Sequence, residues 1–283
     1  MTLLGVLAVT PVMAATPGPV TKVFSRATPA GEVRIAARVM GQGPLVVLVP
    51  SLGRGASDFD ELMVQLAEAG FMAASVDPRG IGQSRGPTDG LTLFDYADDV
   101  AMVARGLSDR PAVFVGHALG NRIVRAAASR HPEQVSRLVL LAAGGQVPIA
   151  PAVLKALNGV FEGLPADQHL EAVRLAFFAP GNDPAIWRGG WHPAVARQQQ
   201  VALAATPSEQ WTGGGSTPIL IVQAQDDTVA PPANAEALVK AYPGRVQVSV
   251  LPHAGHAMLP EQPAAIAEIL IGYLKTGKPP AAP

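Results

Sequence analysis

Val115-Gly116-His117-Ala118-Leu119-Gly120-Asn121 reads VGHALGN, and its surroundings decide the fold. A residue centred between two such glycines suits a strand that turns sharply into a helix. That turn forces the central residue into a strained backbone conformation and aims its side chain into the open. The glycines let chain segments pass closely without Cβ clashes. Upstream, Ala112 to Gly116 (AVFVG) is an apolar run of strand length, and downstream residues 119 to 131 have helical spacing. The frame is one that presents a nucleophile, with alanine at its apex.

Further out, short apolar runs alternate with amphipathic stretches. LVVLVP (45 to 50), MAASVDP (72 to 78) and VSRLVLLAA (135 to 143) read as strands, and residues 57 to 69 and 93 to 107 as helices. Leu93, Tyr96, Ala97, Val100, Val103, Ala104 and Leu107 keep the three-four spacing of a buried helix face, with Thr92 and Asp95 as a capping box. Ile266, Ile269, Leu270, Tyr273 and Leu274 do the same in a final helix from about Glu261. Two antiparallel strands, Lys22 to Ala27 and Glu32 to Met40, precede the alternation. The expected fold is α/β, a mostly parallel sheet with helices on both faces.

The alternation stops between Gly144 and Pro218. This mainly helical stretch holds all three tryptophans, Trp187, Trp191 and Trp211, together with Phe161, Phe177 and Phe178. Any one of these aromatics packs a small local core; as a cluster they are expected to line a ligand pocket, with Trp187 and Trp191 foremost. After ILIVQA (219 to 224), Val246 to Leu251 resumes the strand pattern.

The 283 residues carry 21 basic and 22 acidic side chains, without the basic footprint that a phosphate backbone requires, so nucleic acid is excluded as a partner. No cysteine is present, which removes disulfides, thiolate zinc sites and a cysteine nucleophile. Residues 1–15 have an apolar run from Leu3 to Val9 and small residues at Ala14 and Ala15. They read as a secretory leader without a charged start, implying a periplasmic or secreted protein, with a cytoplasmic one as the alternative. No other stretch is apolar enough to span a bilayer, and residues 276–283 form a Pro-rich tail expected to fray.

Partners for the apex follow in the order acid, then histidine. Gln225-Asp226-Asp227-Thr228 follows a strand, where α/β sheets place their sites, and Pro252-His253-Ala254-Gly255-His256 follows the next. An acid that orients an imidazole, and an imidazole that serves as base, form a triad with the nucleophile. Two backbone donors for a developing oxyanion are expected at Leu119, at the helix N-terminus, and at Leu52 in the loop Pro50 to Gly55.

With these pieces in order the chain resembles the α/β-hydrolase superfamily from about Gly31 to Leu274. The motifs are PSLGRG after the third strand, VDPRGIGQS after the fourth, GHALGN at the turn, QAQDDTVAPP at the acid and AGHAMLPEQP at the histidine. The resemblance is to the branch with a helical cap inserted after the sixth strand. It implies an eight-stranded, mostly parallel sheet with core 16–144 and 218–275 and cap 145–217. Asp227 is then the orienting acid with Asp226 as fallback, His256 the base with His253 as rival, Leu52 and Leu119 the oxyanion donors, and Ala118 the nucleophile position. His117 is the variable residue of the turn and a substrate contact. Arg54 is a substrate or cap contact, or solvent-exposed, and Asp77 and Arg79 brace a loop by pairing. The implied substrate is a small molecule with an ester, lactone or similar acyl bond, with no cofactor and no metal.

Alanine supplies neither the serine of esterases nor the aspartate of dehalogenases. Loss of a triad serine costs roughly a factor of 10⁶. Three readings are open. Alanine replaces serine as a silencing change; or it is natural, with His256 and Asp227 activating water or the hydroxyl of Ser51, in a hydrolase or in a lyase whose acid-base chemistry needs no covalent intermediate; or the chain is a binding module that has kept the pocket.

Overall fold

Strand β3 (Leu45–Val49) shows how an unbroken apolar run becomes a central strand. Leu45, Val47 and Val49 join one hydrophobic cluster and Val46 and Leu48 the other, so period-two alternation serves two buried faces. The same division recurs in β5 (Ala112–His117), β6 (Val135–Leu141) and β7 (Ile219–Ala224). The computed structural model describes residues 18–279; the expected leader, 1–15, and the end of the expected tail lie outside the described residues.

Eight strands form one sheet in the order β1-β2-β4-β3-β5-β6-β7-β8, where β1 is Val20–Thr28, β2 Gly31–Met40, β4 Met72–Val76 and β8 Val246–Leu251. β1 and β2 form a hairpin closed by Pro29 and Ala30, and β2 meets β4 antiparallel; every later pairing is parallel. Helix α1 (Asp60–Glu68) packs on one face with α8 (Met258–Glu261) and α9 (Pro263–Thr276). On the other face lie α2 (Leu93–Leu107), α3 (Leu119–Arg130) and α7 (Ala233–Ala241). The Thr92–Asp95 capping box closes the first turn of α2, with the Thr92 N–H donating to Asp95 at 2.8 Å.

Asp77 and Arg79 do not pair with each other as expected. Asp77 accepts the Ala56 N–H at 2.7 Å, while Arg79 donates to both oxygens of Asp99 at 2.6 and 2.9 Å. Asp99, on α2, meets the planar guanidinium in a two-pronged contact that a near neighbour in the loop does not supply.

Between β6 and β7 the chain forms α4 (Pro151–Gly159), α5 (Ala166–Phe177), a 3₁₀ turn at Pro184–Trp187 and α6 (Pro193–Ala204). This inserted segment has its own cluster, with Val160, Ala172, Val173, Ala176, Phe177 and Trp187 packed against Ala257. Trp211 belongs instead to the main core beside α3. Among the described residues no helix is long and apolar enough to cross a membrane.

Candidate active site

At the end of β5 the backbone of Ala118 takes φ 50° and ψ −108°, a region that side-chain-bearing residues rarely occupy. The two glycines explain how the turn closes. A Cβ on Gly116 would lie 2.3 Å from the Gly120 carbonyl, and one on Gly120 would lie 2.1 Å from the Val49 carbonyl oxygen. The start of α3 is thereby pressed against the end of β3, which brings the Ser51–Leu52 loop beside the turn. Ala118 is pinned by its N–H to Leu141 (3.0 Å), and its carbonyl accepts the side-chain amide of Asn121.

His256, in the loop after β8, directs Nδ1 at Asp227, 2.9 Å from one carboxylate oxygen and 3.1 Å from the other. The backbone N–H groups of Val229 (2.9 Å) and Ala230 (2.7 Å) donate to Asp227 Oδ1. Burial would raise the Asp227 pKa, but the charge and hydrogen bond of His256 and these two amides hold it below its ordinary value. Asp226 is exposed and makes no ion pair with His256. His253 is also exposed, at φ 54°, and its carbonyl accepts side-chain amides from Asn182 and Gln262.

His256 faces a cavity of about 340 Å³ with Ala118, Leu119, Ser51 and Leu52. The inserted segment and the loop leading into it supply much of the remaining wall, including Val147, Ile149, Leu157, Phe161 and Phe177. Among the described residues the N–H groups of Leu52 and Leu119 donate no hydrogen bond; the latter is one of the orphan donors at a helix start. Among the described residues the Ser51 hydroxyl makes no hydrogen bond to His256, whose Nδ1 is directed at Asp227.

Four expected substrate contacts, Arg54, Trp187, Trp191 and His117, stand elsewhere. The Arg54 guanidinium is 4.5 Å from the ring centroids of both Trp187 and Trp191, holds Asp58 at 2.6 and 2.8 Å, and donates to the Gly189 carbonyl at 2.7 Å. This buried stack fastens the β3 loop to the inserted segment, and none of the three lines the cavity; nor is Arg54 solvent-exposed. A cation between two electron-rich ring faces, neutralised by Asp58, has no charge left to offer a substrate. His117 is fully buried and lies outside the cavity, with Nε2 donating to the His256 carbonyl at 2.8 Å. Burial, and then the neighbouring imidazole of His256, lower its pKa to about 3. Of the aromatic cluster expected to line a pocket, Phe161 and Phe177 do so, and Phe177, on α5, stacks on the His256 ring at 5.7 Å.

The sequence reading also missed Glu261, Gln199 and Arg122. Glu261 accepts from Gly255 beside His256 (2.7 Å), and from Ala179 (2.7 Å) and Asn182 (2.8 Å) of the inserted segment. Gln199 accepts the Gly53 N–H at 2.8 Å, steadying the loop that carries Leu52. Both join segments far apart in sequence, so no local pattern reports them. Arg122 lines the cavity one turn into α3, a spacing visible in the sequence without its meaning. Among the described residues no three His, Cys, Asp or Glu side chains converge as a metal site.

The mostly parallel sheet, the strained strand-to-helix turn and the loops after β7 and β8 define the α/β-hydrolase class. Residues 43–263 match the family described as serine aminopeptidase, S33, and the chain belongs to that family of hydrolases. A 2-(acetamidomethylene)succinate hydrolase from Mesorhizobium japonicum is 35% identical over 118 residues, a match spanning 42% of this chain and 42% of that relative. A monoacylglycerol lipase from Mycolicibacterium smegmatis is 26% identical over 243 residues, covering 80% of this chain and 86% of the relative. An esterase from Exiguobacterium antarcticum superposes with a TM-score of 0.76 at 20% identity, over 89% of this chain and 99% of the other, a likeness of fold.

Proposed function

We propose that the site cleaves an ester, lactone or similar acyl bond of a small, largely apolar molecule, with the segment 145–217 as its cap. The carrying observation is that the His256–Asp227 pair and the unpaired N–H groups of Leu52 and Leu119 converge on one apolar-walled cavity around Ala118. The substrate carbonyl lies over Ala118, its oxygen takes the two N–H groups as negative charge develops, and His256, oriented by Asp227, is the base. The names of the lipase and esterase relatives support acyl-bond chemistry.

Position 118 decides the rate. A serine there would lose its proton to His256 as its oxygen attacks the carbonyl; His256 would return that proton to the leaving alcohol, and water would release the acyl group. With alanine, no covalent intermediate forms at 118. The second reading assigns the attack to Ser51, which shares the cavity with His256.

Assays of p-nitrophenyl esters and a lactone panel separate these. The chain as it stands is expected near background, and Ala118→Ser to raise kcat/KM by at least about 10³-fold, a gain abolished by adding His256→Ala. Turnover by the unaltered chain that disappears in both Ser51→Ala and His256→Ala would move the nucleophile to Ser51. Inactivity of every form across the panel would make the chain a ligand-binding protein without turnover.

A further inference from the structure

Among the described residues Arg122 is the one arginine or lysine in the cavity wall. It makes no salt bridge and no hydrogen bond among the described residues. Its place is built. It projects from α3 one turn beyond Ala118, about 5 Å along the axis. Its guanidinium packs against Gly145, where an added Cβ would sit 3.0 Å from a terminal nitrogen, and lies 5.9 Å from the centroid of Trp211. The cavity it lines is otherwise largely apolar, with Val147, Pro148, Ile149 and Leu203 in its wall beside the polar Gln200.

The surroundings lack the anion that this arrangement needs. Arg125, one position short of the next turn of α3, is fully buried, and it too has no carboxylate partner. It is held by the Asn121 side chain (2.6 Å), the Asn121 and Thr212 carbonyls (3.3 Å each) and the Trp211 face (4.8 Å). Burial lowers the pKa of both guanidinium groups, the charge of Arg122 lowers that of Arg125 further, and among the described residues neither has a carboxylate to neutralise it. Glu209, in an adjoining cleft that also includes Arg122, is exposed and forms no ion pair with it. Cations withdrawn from water without a counterion are costly, whereas one supplied by a ligand is strongly bound in such a setting.

Resting on the acyl-hydrolase reading of the same cavity, we propose that Arg122 anchors a carboxylate at the end of the substrate remote from the scissile bond. The substrate class is then a monoacid whose short apolar spacer separates a free carboxylate from the ester or related acyl carbon. The planar fork of Arg122 binds both carboxylate oxygens, and the apolar wall covers the spacer. Substrate charge is read by this one side chain, while bond cleavage belongs to the residues around Ala118.

The test compares two ligands of one shape and different charge on the unaltered chain: 4-phenylbutyrate and 4-phenylbutyramide, by calorimetry. The acid is expected to bind at least about tenfold more tightly, an advantage of about 1.4 kcal/mol that shrinks with added salt. Arg122→Gln should erase the advantage and Arg122→Lys should restore part of it. Equal binding of acid and amide by the unaltered chain, or an advantage that survives Arg122→Gln, overturns the proposal, and neither outcome depends on turnover. In an Ala118→Ser background, the ratio of kcat/KM for p-nitrophenyl hydrogen glutarate to that for p-nitrophenyl pentanoate should fall at least tenfold on Arg122→Gln. If Ala118→Ser cleaves neither ester while the unaltered chain still prefers the acid, the hydrolase reading fails and the anion site stands.

Discussion

The sheet with its flanking helices and the segment inserted between β6 and β7 are built on different terms. In the sheet, each central strand buries both faces, and the glycines of the turn are dictated by backbone atoms 2.1 to 2.3 Å from where a Cβ would be. The inserted segment has a smaller cluster and leaves Leu154, Leu175, Ile186 and Val201 exposed. It is held to the core by a few discrete fastenings: the Arg54 stack, Glu261 and Gln199. The core therefore fixes where reacting groups stand, and the inserted segment closes the space around them.

The two regions should differ most in their response to a methyl group added at a glycine. Gly120→Ala places a Cβ against the Val49 carbonyl oxygen, with backbone on both sides, and should prevent folding or lower the thermal midpoint by tens of degrees. Gly163→Ala, in the inserted segment at φ 71° with nothing within 4 Å, should cost only about 1 kcal/mol of backbone strain. Similar losses for the two in thermal unfolding would erase the distinction.

Trp187→Ala tests whether the inserted segment can loosen alone. Removing this buried ring should cost about 3–5 kcal/mol, expressed locally. Hydrogen exchange should quicken in α4, α5 and α6 while β3 and β5 stay protected. Uniform acceleration through the sheet would show one cooperative unit instead.

His117 sits at the seam between the two regions, its ring 6.0 Å from Trp187 and 5.5 Å from His256. Its pKa falls from 6.5 to about 3 on folding, so between those values the unfolded chain binds a proton that the folded chain does not. Stability from this group is complete above pH 6.5 and is lost as pH falls toward 3. At pH 5 the loss is about 2 kcal/mol. Denaturant titrations at pH 7 and pH 5 should show that loss in the unaltered chain and not in His117→Asn; equal pH slopes would contradict it.

Much of the site was legible because its constraints are local. VGHALGN specifies a turn through two positions where only hydrogen fits, and the acid and histidine follow strands readable from their apolar runs. The choice between adjacent carboxylates was less open to reading. Asp227 reaches His256 while Asp226 faces solvent, a matter of which way each side chain leaves the loop. Arg54 and the tryptophans were misplaced for a plainer reason. The bond that locks Arg54 spans 135 residues, and an arginine's spacing from its own neighbours says nothing about rings so distant in the chain.

By itself, then, the sequence determined the order of strands and helices, the strained turn and the identity of its partners, because periodicity and steric exclusion act over a few residues. Tertiary structure alone decided which aromatics brace the inserted segment and which line the cavity, and which cations are neutralised. Arg54 found Asp58 and two rings; Arg122 was left facing the cavity without an acid. Charge compensation depends on what folding brings within a few ångströms, and that is settled only when all the elements are packed.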